Sequence, residues 1–373
     1  MSRLPSRLLT FSRILSKLPL HFFRKPPVDC RKILVAHHLL LGDTLMLTPL
    51  LAKLRKQYSN ATITMVSPKS TVILYQNKPY GVEVLPYDPK DIGTLKQLLK
   101  QSDYDLALIP GDNRVSWLAY ALGAKWIVAF AGDTPSYKSW FVDQQIPYRE
   151  SPATWGDMVA DLVSGENDQL YDIDQWKAPA CQNYSTPDSA YAVLHVGAST
   201  ALKMWAPEKW MEIANYLKAN NVTPIWSGGK GEEKIVTKID SDQQYTSYAG
   251  QLDLSQMWNL LANAKILICP DTGMAHFGRI TDTPTVVLFG PGSAVICGKG
   301  DFWKNSRYET VFEADIKCRD QNILFRRKLS WVKRCGRTTR SCSHAICMQA
   351  ITVDMVKQTI SQLIPEFSSP NIG

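Results

Sequence analysis

The sequence predicts an α/β protein of two doubly wound domains facing a central cleft, and three observations lead there. Short apolar runs with the length and β-branched content of buried parallel strands alternate with amphipathic helical patterns. That rhythm occurs twice, on either side of residues 165–190, which are rich in Asp, Asn, Gln, Ser and Pro and show little apolar periodicity. A chain of 373 residues with 45% hydrophobic and 20% charged residues is also large enough for two ordinary cores.

Residues 1–30 form a basic extension in which Leu4, Leu8, Phe11, Leu15 and Leu18 recur at helical spacing, with Arg3, Arg7, Arg13 and Lys17 between them and Pro19 as a stop. The pattern reads as an amphipathic helix at a membrane interface. An Arg- and Ser-rich, acid-poor start also fits a transit peptide or a solvated extension. Residues 31–180 make the first domain, with strands at 32–36, 61–66, 104–109 and 126–130 and a helix from Thr44 to Tyr58. Residues 190–350 make the second, with strands at 191–196, 223–226, 264–269 and 285–289 and helices from Pro207 to Ala219 and Glu232 to Ile239. Residues 351–373 hold a last amphipathic helix from about Thr352 to Leu363, a candidate to pack back on the first domain. No apolar run approaches the roughly 20 residues of a membrane-spanning helix, so the chain is not expected to cross a bilayer.

The net charge of +8 is concentrated. The first 40 residues carry Arg3, Arg7, Arg13, Lys17, Arg24, Lys25, Arg31 and Lys32 against Asp29 alone. Residues 317–340 add Lys317, Arg319, Arg326, Arg327, Lys328, Lys333, Arg334, Arg337 and Arg340 against Asp320. Two such patches suit an anionic partner, and nucleic acid, an anionic membrane surface and a phosphorylated saccharide all qualify on charge alone. Of eight cysteines, Cys318, Cys335, Cys342 and Cys347 fall late, with His344 among them and gaps of 16, 6 and 4 residues. The paired C-x2-C knuckles of a structural zinc site are missing, so reduced thiols are expected ahead of a metal.

Three strand-to-helix loops carry candidate chemistry. The apolar run at 264–269 leads into Pro270-Asp271-Thr272-Gly273-Met274-Ala275-His276, where Asp271 and Thr272 suit a helix N-cap and Gly273 permits close backbone approach. A helix start at the carboxyl end of a strand is a place for an anion, because unpaired N–H groups and the helix dipole point there; a plain capped turn with a packed His276 fits the same residues. The strand at 191–196 leads into Gly197-Ala198-Ser199-Thr200-Ala201-Leu202-Lys203, in which Ser199 and Thr200 can donate to phosphate oxygens and Lys203 can neutralise a diphosphate, or simply be solvated. Ser227-Gly228-Gly229-Lys230-Gly231-Glu232-Glu233 offers Glu232 or Glu233 to a ribose, or opens a helix. After the first strand, Gly42-Asp43-Thr44 places a carboxylate at the cleft, with Asp43 as candidate base or as a helix cap. Neither a P-loop nor a G-x-G-x-x-G fingerprint after a strand is present, which argues against a Rossmann dehydrogenase.

Taken in order, Gly42-Asp43 with Thr44-Leu45-Met46-Leu47-Thr48-Pro49, Gly197-Ala198-Ser199 with Lys203-Met204-Trp205 and Trp210, Asp271-Thr272-Gly273 with His276, and Phe289-Gly290-Pro291 resemble glycosyltransferase family 9, the heptosyltransferase family of bacterial lipopolysaccharide assembly. The resemblance spans roughly residues 31–360. It implies a GT-B fold, an ADP-heptose donor in the C-terminal domain, a lipopolysaccharide inner-core acceptor on the N-terminal domain, and inversion at the anomeric carbon with no metal and no cofactor. It further implies that Asp43 is the base, that Lys203 with Ser199 or Thr200 holds the diphosphate, that Asp271, Thr272, Gly273 and His276 form the donor motif, and that Glu232 or Glu233 meets the nucleoside. The expected location is the cytoplasmic face of the inner membrane, on its anionic surface, with no nucleic-acid partner. The basic extension and the segment 317–347 depart from the better-known members, so Arg326, Arg327 and Lys328 are candidate acceptor contacts. Alternatives are another nucleotide-activated sugar as donor, or a non-catalytic saccharide-binding protein, against which intact Asp43, Lys203 and Asp271 argue.

Overall fold

Six strands from the first half of the chain and five from the second pair in parallel throughout, forming two separate sheets. The computed structural model describes residues 2–19 and 24–368, and within them the chain divides into two units at Pro179 and Ala180.

The first unit contains α1 (Leu4–Lys17), β1 (Lys32–Ala36), α2 (Leu41–Leu45), α3 (Thr48–Gln57), β2 (Thr62–Ser67), β3 (Val82–Pro86), α4 (Ile92–Leu99), β4 (Leu106–Ile109), α5 (Ser116–Ala121), β5 (Trp126–Phe130), β6 (Gln144–Ile146) and α6 (Trp155–Val159). Its strand order is β3-β2-β1-β4-β5-β6, the doubly wound arrangement. Leu34 of β1 lies beside Thr64 of β2 and Ala107 of β4, which sets the register at the centre. One face of this sheet, through Leu34, Ala107, Ile109 and Ile127, packs on Leu95 and Leu98 of α4 and Leu118 and Leu122 at α5. The helix expected from Thr44 to Tyr58 is two helices, because Pro49 sits in the first turn of α3 and has no N–H to continue the earlier turn. The N-terminal extension belongs to this unit: α1 packs on α5, Ile14 enters the core, and Tyr120 Oη donates to Lys17 O at 3.0 Å.

A short piece of the second half completes the first unit. Ile323–Leu324 and Arg327–Lys328 form an antiparallel hairpin whose turn residues, Phe325 and Arg326, both take positive φ, 44° and 67°. Arg327 is only 4% exposed. Its five N–H groups all have partners in this unit: Nε on Ala131 O at 2.7 Å, Nη1 on Gly111 O at 3.3 Å and Phe325 O at 2.9 Å, and Nη2 on Asn113 Oδ1 at 2.8 Å and Phe130 O at 3.2 Å. Asp133, equally buried, lies 3.6 Å from the guanidinium and also accepts from Lys138 Nζ at 2.9 Å and Asn113 N at 2.8 Å.

The second unit holds β7 (Tyr191–His195), α7 (Pro207–Ala219), β8 (Thr223–Ser227), α8 (Glu233–Ile239), α9 (Leu254–Ala262), β9 (Ile266–Pro270), α10 (Gly273–Ile280), β10 (Thr285–Leu288), β11 (Tyr308–Val311), α11 (Ile346–Gln349) and α12 (Val353–Leu363), in strand order β11-β10-β9-β7-β8. The last helix, a candidate for the first domain, packs instead within the second unit. Val353, Val356 and Ile360 make one face of α12 and join Ile213, Leu217, Val286 and Val311 in that core.

Replacing Arg327 by Ala removes five hydrogen bonds and strips Asp133 of one of its two cations, so a loss of about 3–5 kcal/mol is expected in urea unfolding. Arg326→Ala, on the exposed turn, is expected to stay within about 0.5 kcal/mol of the parent.

Candidate functional site

In the second unit the sheet order reverses at β7, which has β8 on one side and β9 on the other. Loops leaving β7 and β9 therefore diverge and open a crevice at the strand ends, the usual ligand position in an open α/β sheet. The residues expected to bind the donor lie on the strand-to-helix loops at these strand ends or, for Gly273 and His276, at the start of α10. Lys203, at the end of a short 3-10 turn after β7, donates from Nζ to Asp271 O at 2.6 Å and to Asp271 Oδ2 at 2.7 Å. Asp271 is buried, and its carboxylate lies so close to Gly292 that a Cβ there would sit 2.1 Å from Oδ2. Thr272 is the N-cap of α10, its hydroxyl accepting from Met274 N at 3.3 Å, with Gly273 the first helical residue. Thr200 likewise caps the turn that carries Lys203, while Ser199 beside it is exposed.

Glu232 reaches back across the strand ends. Its Oε2 accepts from Gly229 N at 2.6 Å and occupies the space above Gly197, where a Cβ would come within 1.7 Å of that oxygen. Glycine at 197 is what lets the carboxylate lie there. Glu233 turns to its own loop and accepts from Gly231 N at 3.2 Å.

His276, on the second turn of α10, is buried, and its Nδ1 accepts from the Arg279 guanidinium. Burial first, then the charges of Arg279 and Lys203, hold its pKa well below the ordinary imidazole range. The ring is neutral, and with Nδ1 accepting, the proton is on Nε2. Arg279 is itself fixed: Nη1 donates to Gly298 O at 2.6 Å, and its guanidinium carbon lies 4.7 Å from the Trp303 ring centre and 4.4 Å from that of Tyr308. Arg279 was not among the expected site residues. Its helical spacing of three from His276 was the available signal. Asp271, His276 and Cys297 bring ligand-type atoms within 4.8 Å of one another. The carboxylate is already engaged by Lys203 and the imidazole by Arg279, an arrangement with the charge to hold an anion and poorly suited to a cation.

The first unit has its own crevice, at β1, where its sheet order reverses between β2 and β4. Asp43 stands inside α2 and not at its cap, which is Leu40; Thr44 Oγ1 bonds back to Leu40 O at 2.9 Å. Asp43 lines a cavity of about 950 Å³, walled by the residues after β1, by Asp112 and Arg114 after β4, and by α1. Of the expected acceptor contacts, Arg326 and Lys328 are exposed, whereas Arg327 is buried with all its N–H groups engaged and has none to offer an acceptor. Two positive charges, then, remain at this hairpin for a ligand. Arg319, from the same basic segment, is also spent internally, on the carbonyls of Phe289, Gly290 and Glu313.

Two doubly wound units, the second with a lysine, a capped helix start and a neutral histidine at its switch point, define a nucleotide-sugar glycosyltransferase of the GT-B fold. The chain belongs to glycosyltransferase family 9, the heptosyltransferase family, whose model matches residues 92–319. It is 24% identical over 264 residues to the lipopolysaccharide core heptosyltransferase OpsX of Haemophilus influenzae, covering 67% of this chain and 76% of that protein. Among solved structures it is similar to ADP-heptose lipopolysaccharide heptosyltransferase II of Escherichia coli, with a TM-score of 0.68, 17% identity and coverage of 91% of this chain and 100% of the other. The Escherichia coli heptosyltransferase WaaC with ADP gives a TM-score of 0.64 at 15% identity, covering 90% and 99%.

A pH dependence follows from the strand that leads into this site. His195, the last residue of β7, is buried with Nδ1 3.1 Å from Ser227 Oγ, and burial pushes its pKa from 6.5 down to about 4. The unfolded chain takes up this proton first, so the contribution is fully present above pH 6.5 and is lost as pH falls towards 4. The expected slope from this group is about 1.4 kcal/mol per pH unit in that window. Unfolding of His195→Asn measured from pH 7 to 4 should show a correspondingly shallower decline than the parent; equal slopes would contradict it.

Proposed function

We propose that this enzyme transfers a heptose from ADP-heptose to an inner-core sugar of lipopolysaccharide, with inversion and without a metal. The observation that carries the reading is the cationic, helix-capped crevice of the second unit in a chain of the heptosyltransferase family. The names of its relatives supply the sugar and the acceptor.

Inverting transfer asks two things of the protein. The acceptor hydroxyl loses a proton as it attacks, a task for the Asp43 carboxylate. Charge gathers on the departing diphosphate, where Lys203, the hydroxyls of Ser199 and Thr200, the Gly273 N–H at the start of α10 and the Nε2–H of His276 are the candidate donors. Asp271 holds the Lys203 ammonium through two hydrogen bonds, so this cation is pre-oriented before the donor arrives. Glu232, carried on the Gly228-Gly229 loop, is placed to accept from a ribose hydroxyl. With Lys203 and Arg279 supplying positive charge, leaving-group stabilisation does not call for a bound cation.

No helix among the described residues is long and apolar enough to cross a membrane. Leu4, Leu8, Phe11 and Leu15 of α1 are more than half exposed, with Arg3 and Arg7 beside them. That surface fits peripheral binding to the anionic cytoplasmic face of the inner membrane, where a lipid-linked acceptor is held.

Purified enzyme given ADP-heptose and a truncated lipopolysaccharide is expected to add one heptose, read by mass spectrometry. Asp43→Asn should lower kcat by about 10²–10⁴ while leaving ADP binding intact. A product formed with other nucleotide sugars and not with ADP-heptose would overturn the donor. Replacing Lys203 by Met, which keeps the packing of its stem, should weaken ADP binding by roughly 10- to 100-fold in calorimetric titration, and an unchanged affinity would remove Lys203 from the diphosphate site.

A further inference from the structure

The helix α1 is mounted the opposite way round from an ordinary surface helix. An amphipathic helix normally lays its apolar stripe on the core and turns its polar face to water. Here Leu4, Leu8, Phe11 and Leu15 face outward, at 59%, 61%, 52% and 51% exposure. The opposite side, Arg3, Ser6, Arg7, Thr10 and Ile14 at helical spacing, lines the cavity of the first unit, and Leu8 and Phe11 of the outward stripe also reach its wall. Ile14, at the far end of that face, and the partly buried Leu9 beside it are the apolar anchors to the core.

Two side chains in the cavity wall are buried and have polar atoms without a partner among the described residues. Ser6, 3% exposed, has an unpaired Oγ; His37, 2% exposed, has an unpaired Nε2. Burying a hydroxyl or a ring N–H without a hydrogen bond costs about 1–3 kcal/mol, so such groups ordinarily meet a ligand or a water. The state of His37 can be read from its other nitrogen. Nδ1 accepts from Leu39 N at 3.2 Å, and burial, with His38 nearby, pushes the pKa down to about 3. The ring is therefore neutral and Nε2 carries the proton, a buried donor on a residue of the cavity wall. Arg3, Arg7 and Arg114 add positive charge to the wall, and Asp43 and Asp112 add carboxylates suited to accept from sugar hydroxyls. Arg114 already shares its charge with Asp112, Nη2 to Oδ2 at 3.0 Å, which leaves Arg3 and Arg7 of α1 as the principal cations.

We infer that α1 is part of the acceptor site: its polar face closes the cavity over an acid-bearing saccharide, with Ser6 Oγ and His37 Nε2–H as the buried hydrogen-bonding groups and Arg3 and Arg7 as the contacts to the acid. This rests on the heptosyltransferase reading and assigns its acceptor pocket. The class of ligand follows from the wall. Arginines beside carboxylates and neutral donors match a sugar that carries both an oxyanion and free hydroxyls, and the rest of the wall, Tyr87, Trp117, Tyr137 and Phe325 among it, offers apolar and aromatic surface to the faces of its ring. Because Asp43 lines the same cavity, the saccharide that these groups hold is the one whose hydroxyl Asp43 deprotonates. The outward apolar stripe adjoins the cavity through Leu8 and Phe11 and offers a surface to the lipid portion of such an acceptor.

The test uses the 373-residue enzyme, four variants of the cavity wall and, for binding, Asp43→Asn. Ser6→Ala removes one buried hydroxyl, and Arg3→Ala with Arg7→Ala removes the charge. His37→Asn keeps an oxygen to accept from Leu39 N and loses the distal donor, whereas His37→Gln restores a donor near the Nε2 position. The expected result is a rise in acceptor KM of about 5- to 10-fold for Ser6→Ala and for His37→Asn, partial recovery in His37→Gln, a larger and salt-sensitive rise for the arginine pair, and an unchanged KM for ADP-heptose throughout. Unaltered acceptor KM in both Ser6→Ala and His37→Asn, with parental thermal stability, would overturn the assignment. Equilibrium titration of the delipidated core saccharide onto Asp43→Asn protein judges the pocket separately from turnover. Binding that weakens in the α1 variants supports the pocket even if ADP-heptose proves to be the wrong donor, whereas equal binding by parent and variants removes it. Dephosphorylated saccharide distinguishes the source of the oxyanion: retained affinity assigns sugar carboxylates, and affinity lost with the phosphates assigns those.

Discussion

Parallel pairing is the constraint from which the rest of this protein follows. A parallel strand must be re-entered from the same end, so every strand-to-helix loop emerges at one edge of its sheet, and a reversal of strand order at that edge leaves a gap that no side chain of the sheet fills. In the first unit the reversal is at β1, and the loops beside it carry His37, Asp43, Asp112 and Arg114. In the second it is at β7, and the loops there carry Lys203 and Asp271, with His276 at the start of the helix that follows. Residues more than sixty positions apart, Lys203 and Asp271, bond to each other because topology delivers their strand ends side by side.

Within the second unit the charges are arranged in order of rigidity. Arg279 is held by backbone carbonyls and two aromatic rings, and it in turn fixes the tautomer of His276. Lys203 is held by Asp271, which burial and Gly292 confine. Both cations are thus in place before any ligand, and less reorganisation is left for the moment at which negative charge appears on a leaving group.

The strands with continuous β-branched runs were legible in the sequence to within a residue or two, β1, β5 and β7 among them, because burial on both faces leaves an unbroken apolar signature. The loops Gly197 to Lys203 and Asp271 to His276 were legible for a related reason: small residues and cap formers between a strand and a helix have few other uses. Short or polar edge strands escaped notice. β6 reads Gln144-Gln145-Ile146, and its place in the sheet depends on β5 beside it and not on its own composition. Arg327 shows the same limit from the other side. Alongside Arg326 and Lys328 it looks like one member of a solvated basic run, and only a hairpin turn with positive φ at two residues sends it inward. For α1 the apolar period was plain, but that the helix packs on α5 through its opposite side, leaving the stripe outside, was not.

The hairpin at Ile323–Ser330 also determines when the first unit can be finished. A chain emerging from the ribosome has all six strands of the first sheet available once β6 is made, yet Asn113, Asp133 and the carbonyls of Gly111, Phe130 and Ala131 have no guanidinium to bind until residue 327 has been synthesised, well over a hundred residues later. While the second half is translated, the buried polar groups of the first unit lack the side chain that satisfies them in the finished protein. Cutting the chain at the apparent linker would separate the first unit from a piece of its own interior.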